Sequence, residues 1–148
     1  MNKISKTNVS LIMLDIDFFK KINDSYGHDI GDFVLKECVA TLKQIFTKED
    51  EMIARIGGEE FVVVLPNHNI EHAIVRAEDL QKRIRNEAFI QGNIDIRFTI
   101  SMGIAQLLEN ETASEWLKRA DLSLYQSKNT GRNKYTVAGK LLKNSHVA

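Results

Sequence analysis

A nearly continuous apolar run, VSLIMLDI from Val9 to Ile16, constrains this chain more than any other stretch. It is too short for a helix to settle in and apolar at both parities, so it reads as a central strand buried on both faces. Asp15 breaks the run near its end and Asp17 follows two residues on. Period-two geometry can aim both side chains at one edge of the sheet.

Around that strand, Leu35, Cys38, Val39, Leu42, Ile45 and Phe46 recur at the spacing of a one-sided helix, with Gly31 and Asp32 at its start. Met52 to Ile56 and Glu60 to Leu65 flank Gly57-Gly58 and predict a hairpin, because tight two-residue turns need the positive φ that glycine accepts. Pro66 stops its second strand. A second amphipathic helix carries Ile70, Ala73, Ile74, Ala77, Leu80 and Ile84, with Asn69 as its N-cap. Arg97 to Ala105 alternates Phe98, Ile100, Met102 and Ile104 against small or polar residues, the pattern of a half-covered strand. Thr112 with Glu115 fits a capping box that opens a third long helix through Trp116, Leu117, Ala120 and Leu124. Gly131 ends that helix, and Tyr135 to Val137 predicts a short edge strand. Strand, helix, hairpin, helix, strand, helix, without repeat or linker, predicts one α+β layer sandwich.

With 148 residues, residues 1–148 form a single domain with no room for a second core, the last eight or so (about 141–148) being a tail. Lys plus Arg (20) balances Asp plus Glu (20), so no net field draws the chain to nucleic acid or to an anionic membrane. An anionic ligand must then be held by a local site. The lone Cys38 cannot pair internally and falls on an apolar helix face, which points to a core residue in a reducing compartment. There is no run of membrane-spanning length and no signal-peptide h-region at the start, so the expected location is the cytoplasm.

Paired carboxylates at a strand end suit a hard divalent cation such as magnesium. D-x-D alone does not decide this, since it serves phosphatases and glycosyltransferases and also occurs as solvated loop charge. The pattern departs from an EF-hand, since Phe18, Phe19 and Lys20 stand where further oxygens and glycine belong. Glu59 and Glu60 follow the glycines at the hairpin tip and would reach the same edge as Asp15. Gly57 and Gly58 leave room for a ribose or phosphate. Acids at a strand end plus acids on a neighbouring hairpin make the arrangement of a two-metal site for attack at phosphorus. Lys20, Lys128 and Arg132 supply cations that balance a nucleoside triphosphate. Asn23, His28 and Asp32, near a turn between two helical segments, offer groups that match the N1, N2 and O6 edge of guanine.

Taken together, D-x-D-x-F-K-x-I-N-D-x-x-G-H-x-x-G-D (Asp15 to Asp32), R-x-G-G-E-E-F (Arg55 to Phe61), T-I-S-M-G-I-A (Thr99 to Ala105) and A-D-x-x-L-Y-x-S-K-x-x-G-R-N (Ala120 to Asn133) resemble the GGDEF family of bacterial diguanylate cyclases. The resemblance runs from about Val9 to Lys140. It implies a central, mostly antiparallel sheet flanked by helices, akin to the palm of polymerases and nucleotidyl cyclases. It also implies condensation of two GTP into cyclic di-GMP and two pyrophosphates between two transiently facing domains, with two magnesium or manganese ions per active site. By position, Asp15, the carbonyl of Ile16 and Glu59 would bind metal, and Glu59 would be the base for the attacking 3′-hydroxyl. Glu60 is the second signature acid, and Lys20 would stabilise charge on the phosphates. The backbone amides of Phe18 and Phe19 would face those phosphates, and Lys128 with Arg132 would grip them. Asn23, His28 and Asp32 would hold guanine and ribose.

Two departures stand out. The family usually opens with a helix carrying D-x-L-T-x-L-x-N-R that leads from a sensory domain, and this chain begins after it. The family's product-inhibition site is an R-x-x-D ahead of the signature, where Lys48 and Glu51 stand here, a degenerate form. Three readings follow: an active diguanylate cyclase, a catalytically silent GTP- or cyclic di-GMP-binding module, and a cyclase making another cyclic nucleotide. Intact Asp15, Glu59, Glu60 and Lys20 favour the first.

Overall fold

The computed structural model describes residues 8–139; the tail expected after residue 140 lies outside them. In chain order the elements are β1 (Val9–Ile16), α1 (Phe19–Tyr26), α2 (His28–Ile45), β2 (Met52–Arg55), β3 (Glu60–Pro66), α3 (Ile70–Arg85), β4 (Phe89–Gln91), β5 (Ile94–Ile96), β6 (Ile100–Gln106), α4 (Ala113–Asn129) and β7 (Tyr135–Val137). Five strands make one sheet in the order β2-β3-β1-β6-β7, and β4 pairs with β5 apart from it. β1 is central and antiparallel to both neighbours, with Asp15 opposite Glu60 of β3 and Ser101 of β6. β7 runs parallel to β6 at the edge. The expected α+β sheet, mostly antiparallel and flanked by helices, is thus observed.

The parity of β1 divides the core. Ile12, Leu14 and Ile16 join Phe61, Val63, Leu65, Ile100, Met102 and Ile104 beneath α2 and α3, which contribute Val34, Cys38, Leu42, Ala73, Ala77, Leu80 and Ile84. Leu11 and Met13 face the other way, against Val62, Ala105, Ala120 and Leu124 under α4. Asp15 continues this second parity, so the strand that builds the core also delivers a carboxylate to the end of the α4 layer. Cys38 is fully buried, and burial pushes its thiol up to about 12, as expected of an inert core residue. No helix among the described residues is long and apolar enough to cross a membrane.

Several expectations need correction. The segment 97–105 is not a half-covered strand: β6 begins at Ile100, and Ile100 to Ala105 are all buried. Its small residues Ser101, Gly103 and Ala105 are the seat of α4, not a solvated face. A Cβ at Gly103 would lie 2.2 Å from the Ala120 carbonyl oxygen and 2.5 Å from the Leu124 nitrogen, so the helix backbone rests on the strand backbone there. The turn between β2 and β3 is not a two-residue hairpin of positive φ. It spans residues 56–59, the Ile56 N–H donates to the Glu60 carbonyl at 2.9 Å, and neither Gly57 nor Gly58 is left-handed. α2 starts at His28, a full two turns before Leu35, and α1 precedes it without burying any side chain. The short β4–β5 hairpin was not expected; Phe89 at its base packs on Phe98 with ring centroids 4.8 Å apart. Asn69 caps α3 by accepting from the His72 N–H, and Thr112 with Glu115 forms the full capping box of α4.

Candidate active site

At the carboxyl end of β1 a cleft of about 420 Å³ is lined by Asp15, Ile16, Phe18, Phe19, Lys20, Lys21, Asp24, Glu59, Lys128 and Arg132. Antiparallel pairing of β1 with β3 brings the hairpin tip to this edge, and the Ile16 N–H meets the Glu59 carbonyl at 3.4 Å. The α4 layer ends at the same place and contributes Lys128, whose ammonium pairs with Oδ2 of Asp15.

The two acids sit in poor solvent. Burial pushes the Asp15 carboxyl above its ordinary range, against the pull of Lys128. Burial and then the charge of Asp15 do the same to Glu59, and Glu60 is raised by burial, Asp15 and Asp121. Oδ1 of Asp15 is buried with no hydrogen-bond partner. An unpaired oxygen beside a second strained carboxylate is a place where a dication is favoured, because it relieves both desolvation and repulsion. The oxygens gathered at this edge, the Asp15 and Glu59 carboxylates with the backbone of Ile16, are hard donors of the kind that suits magnesium or manganese rather than a soft metal. Among the described residues no three His, Cys, Asp or Glu side chains converge on one point. A cation that keeps several waters and takes phosphate oxygens, as magnesium does, suits so sparse a set.

The opposite wall is cationic. Phe18 adopts a left-handed φ of 56° and starts α1, which has neither a side-chain cap nor an acid in its first turn. The first Ile22 N–H to Phe18 carbonyl bond, 3.0 Å, leaves the amides before it to a ligand or water, and the positive end of the helix dipole faces the cleft. Arg132 lies over the Phe18 ring, 4.7 Å from its centroid. Lys20 stands at the exposed rim, 3.4 Å from Asp24.

The expected guanine group is partly assembled. His28 and Asp32 are four residues apart on α2 and both exposed. Asn23, on α1, lies against Gly31: a Cβ there would sit 1.8 Å from the Asn23 amide oxygen, so glycine makes the room that lets this side chain approach α2. None of the three lines the cleft holding Asp15 and Glu59. Gly31 belongs to this group and was signalled only by its place in the motif.

Asp15 and Asp17 do not share one role. Asp17 has a fully buried side chain whose oxygens accept from Thr99 Oγ1 and Ser101 Oγ at 2.6 Å each and from the Asn133 N–H at 3.0 Å. Its oxygens are already used.

Ahead of the hairpin, Lys48 is exposed, whereas Glu51 is buried under Arg76, which donates to both its oxygens at 2.8 and 3.1 Å. Arg76 also bonds the Ile45 carbonyl and His68 Nε2, so the Glu51 carboxylate is held inside the protein. Hydrogen bonds from Arg76 hold its carboxyl below the ordinary range despite burial.

A family profile described as "Diguanylate cyclase, GGDEF domain" matches residues 1–134. The chain belongs to the GGDEF family. It is similar to Diguanylate cyclase A of Treponema denticola, 40% identical over 134 residues that make up 90% of this chain and 36% of that one. It is also similar to the response regulator PleD of Caulobacter vibrioides, 42% identical over 89% of this chain and 29% of that one. The chain therefore spans about a third of the length of these curated relatives. Among solved structures, the active GGEEF domain of a diguanylate cyclase from Vibrio cholerae aligns with a TM-score of 0.84 at 32% identity, covering 93% of this chain and 86% of that one. The GGDEF domain of DgcB from Caulobacter crescentus in complex with c-di-GMP aligns with a TM-score of 0.86 at 31% identity, covering 92% of this chain and 81% of that one. The GGDEF signature here reads Gly57-Gly58-Glu59-Glu60-Phe61.

Proposed function

We propose that this GGDEF domain is an active diguanylate cyclase that condenses two GTP into cyclic di-GMP and two pyrophosphates in a divalent-cation-dependent reaction. The observation that carries the reading is the unpartnered Oδ1 of Asp15 beside Glu59, in a cleft whose other wall is cationic. A silent binding module has no chemical need for strained carboxylates at that edge.

Asp15, Glu59 and the Ile16 carbonyl would hold magnesium or manganese, two ions per site in the full assembly; when bound they supply charge neutralisation at the reacting phosphate and lower the pKa of the 3′-hydroxyl. Glu59 takes the hydroxyl proton from its place at the same edge as Asp15. As each 3′-oxygen bonds to the other nucleotide's α-phosphorus, the bond to pyrophosphate breaks, so two bonds form and two pyrophosphates leave. Lys128, Arg132, Lys20 and the first amides of α1 hold the triphosphate against the charge that develops. Glu60 adds negative potential beside the pair, and Asn23, His28 and Asp32 receive guanine and ribose.

Each domain holds one GTP and two must face each other, so the assembly is a transient homodimer; the input comes from a sensory domain elsewhere. Cyclic di-GMP formation should rise with the square of domain concentration when the domain is dilute. A specific rate independent of concentration in a monomeric sample contradicts the two-domain reading.

Product inhibition should be weak. Lys48 offers a point charge in place of a planar fork, and Glu51 is already engaged by Arg76. Calorimetry should give a cyclic di-GMP affinity weaker by roughly one to two decades than in Lys48→Arg with Glu51→Asp, which restores the fork and shortens the carboxylate away from Arg76. Tight binding by the unmodified chain that vanishes on Lys48→Ala would show that Lys48 suffices.

A further inference from the structure

We infer that Asp17 is a positioning residue for Arg132: it fixes the turn after α4 so that the Arg132 guanidinium faces the triphosphate cleft. The inference rests on the proposed function for the triphosphate and on the structure for the turn.

Arg132 and Asn133 are consecutive non-glycine residues in the left-handed region, with φ of 63° and 51°. Such a pair persists only where surrounding bonds over-determine it. Asp17 provides one of those bonds from the sheet side, its Oδ2 accepting the Asn133 N–H at 3.0 Å, while the Arg132 N–H donates to the Ser127 carbonyl of α4 at 2.9 Å. Gln81 of α3 holds Asn133 from behind, donating to its carbonyl at 2.7 Å. The carboxylate is itself immobile, because Thr99, just ahead of β6, and Ser101, on it, donate to its two oxygens. The Asp17 N–H completes the anchor by donating to the Thr99 carbonyl at 2.9 Å.

Arg132 is held on two sides. Its Nη1 lies 3.9 Å from Asp17 Oδ1, and its guanidinium covers the Phe18 ring. About a third of the side chain stays exposed, toward the cleft that Arg132 and Phe18 both line. Asp15 and Asp17 thus meet Lys128, in the last turn of α4, and Arg132, four residues on in the turn after it, but they do different things. Oδ1 of Asp15 has no hydrogen-bond partner, whereas both oxygens of Asp17 accept from hydroxyls and a backbone amide within the protein.

The test measures the purified chain with three readouts that need no turnover: Asn133 amide exchange by NMR, Mn²⁺ affinity by electron paramagnetic resonance, and affinity for a non-hydrolysable GTP analogue with Mg²⁺. Asp17→Ala should speed Asn133 exchange and weaken the analogue by about tenfold each, the scale of one lost charge-assisted contact, with Mn²⁺ affinity within about threefold of the parent. Arg132→Ala should weaken the analogue similarly, and adding it to Asp17→Ala should cost less than about twofold more, as for residues acting in series. Asp17→Asn keeps an acceptor for Asn133 and Thr99 and should restore most of the analogue affinity. Should Asp17→Ala not fold, Asp17→Asn carries the test alone, with Asn133 still protected and Mn²⁺ affinity unchanged as the expected result. A Mn²⁺ affinity tenfold lower in Asp17→Asn makes Asp17 a metal ligand and overturns the inference, as does full additivity with Arg132→Ala. If the unmodified chain fails to bind the analogue, the functional reading falls and takes the role of Arg132 with it, while Asn133 exchange still decides the pinning.

Discussion

Glu59→Gln should abolish measurable cyclic di-GMP formation, a loss of about a thousandfold or more, while the domain stays folded. Gln has the size and much of the hydrogen-bonding capacity of Glu, so packing at the hairpin tip is preserved. What disappears is the negative charge that complements a cation and the basicity that takes a proton, and general-base removal alone costs roughly 10²–10⁴ in rate. Stability should hold or rise slightly. Burial and then the charge of Asp15 push the Glu59 carboxyl upward, so a neutral amide relieves that cost in the folded state. Turnover and a thermal melt on the same preparation check both halves. Near-parental turnover with an unchanged melt would remove Glu59 from the chemistry.

Gly103→Val should be the most destabilising single change in the sheet, about 3 kcal/mol or more against the 5–15 kcal/mol typical of a domain. The atoms that a side chain would meet are backbone, the Ala120 carbonyl and the Leu124 nitrogen, and cannot rotate away. α4 would have to lift from β6. That separates Leu124 and Ala120 from Leu11, Met13 and Ala105 and strains the Trp116 Nε1 bond to the Ala105 carbonyl, 2.9 Å. The same displacement moves Lys128 away from Asp15, so residual activity should fall with stability. Urea unfolding should show a lower midpoint at unchanged slope. A midpoint within experimental error of the parent would mean that α4 does not rest on that strand.

What the sequence reveals follows from how local its signals are. β1 and the cores of α2, α3 and α4 are legible because each carries its own period, and the capping residues Asn69 and Thr112 mark two helix starts through contacts only three residues long. Asp15, Glu59 and Lys128 are legible as a group because their motifs fall at element ends that the topology gathers. β6 misleads for a physical reason. Ser101, Gly103 and Ala105 look like a solvent face, but small residues also let a helix backbone come close, and sequence alone does not separate the two. α1 is a short helix that packs only the partly buried Phe19 and Ile22 on the core, so its extent is hard to read, and the strands of the β4–β5 hairpin are only three residues long and have no pattern to read. The division of labour between Asp15 and Asp17 is the least legible feature. Their spacing is symmetrical, and the difference is made by Thr99, Ser101 and Asn133, which arrive from the far end of the chain.

The most direct measurement is pyrophosphate release from GTP by the purified chain in chelator-stripped buffer, before and after Mg²⁺ is restored, with the nucleotide products separated in parallel. The account predicts none without the cation, and with it one pyrophosphate per GTP consumed and cyclic di-GMP as the nucleotide product. GTP that binds the chain yet releases no pyrophosphate at any Mg²⁺ or protein concentration would contradict it and leave a silent binding module.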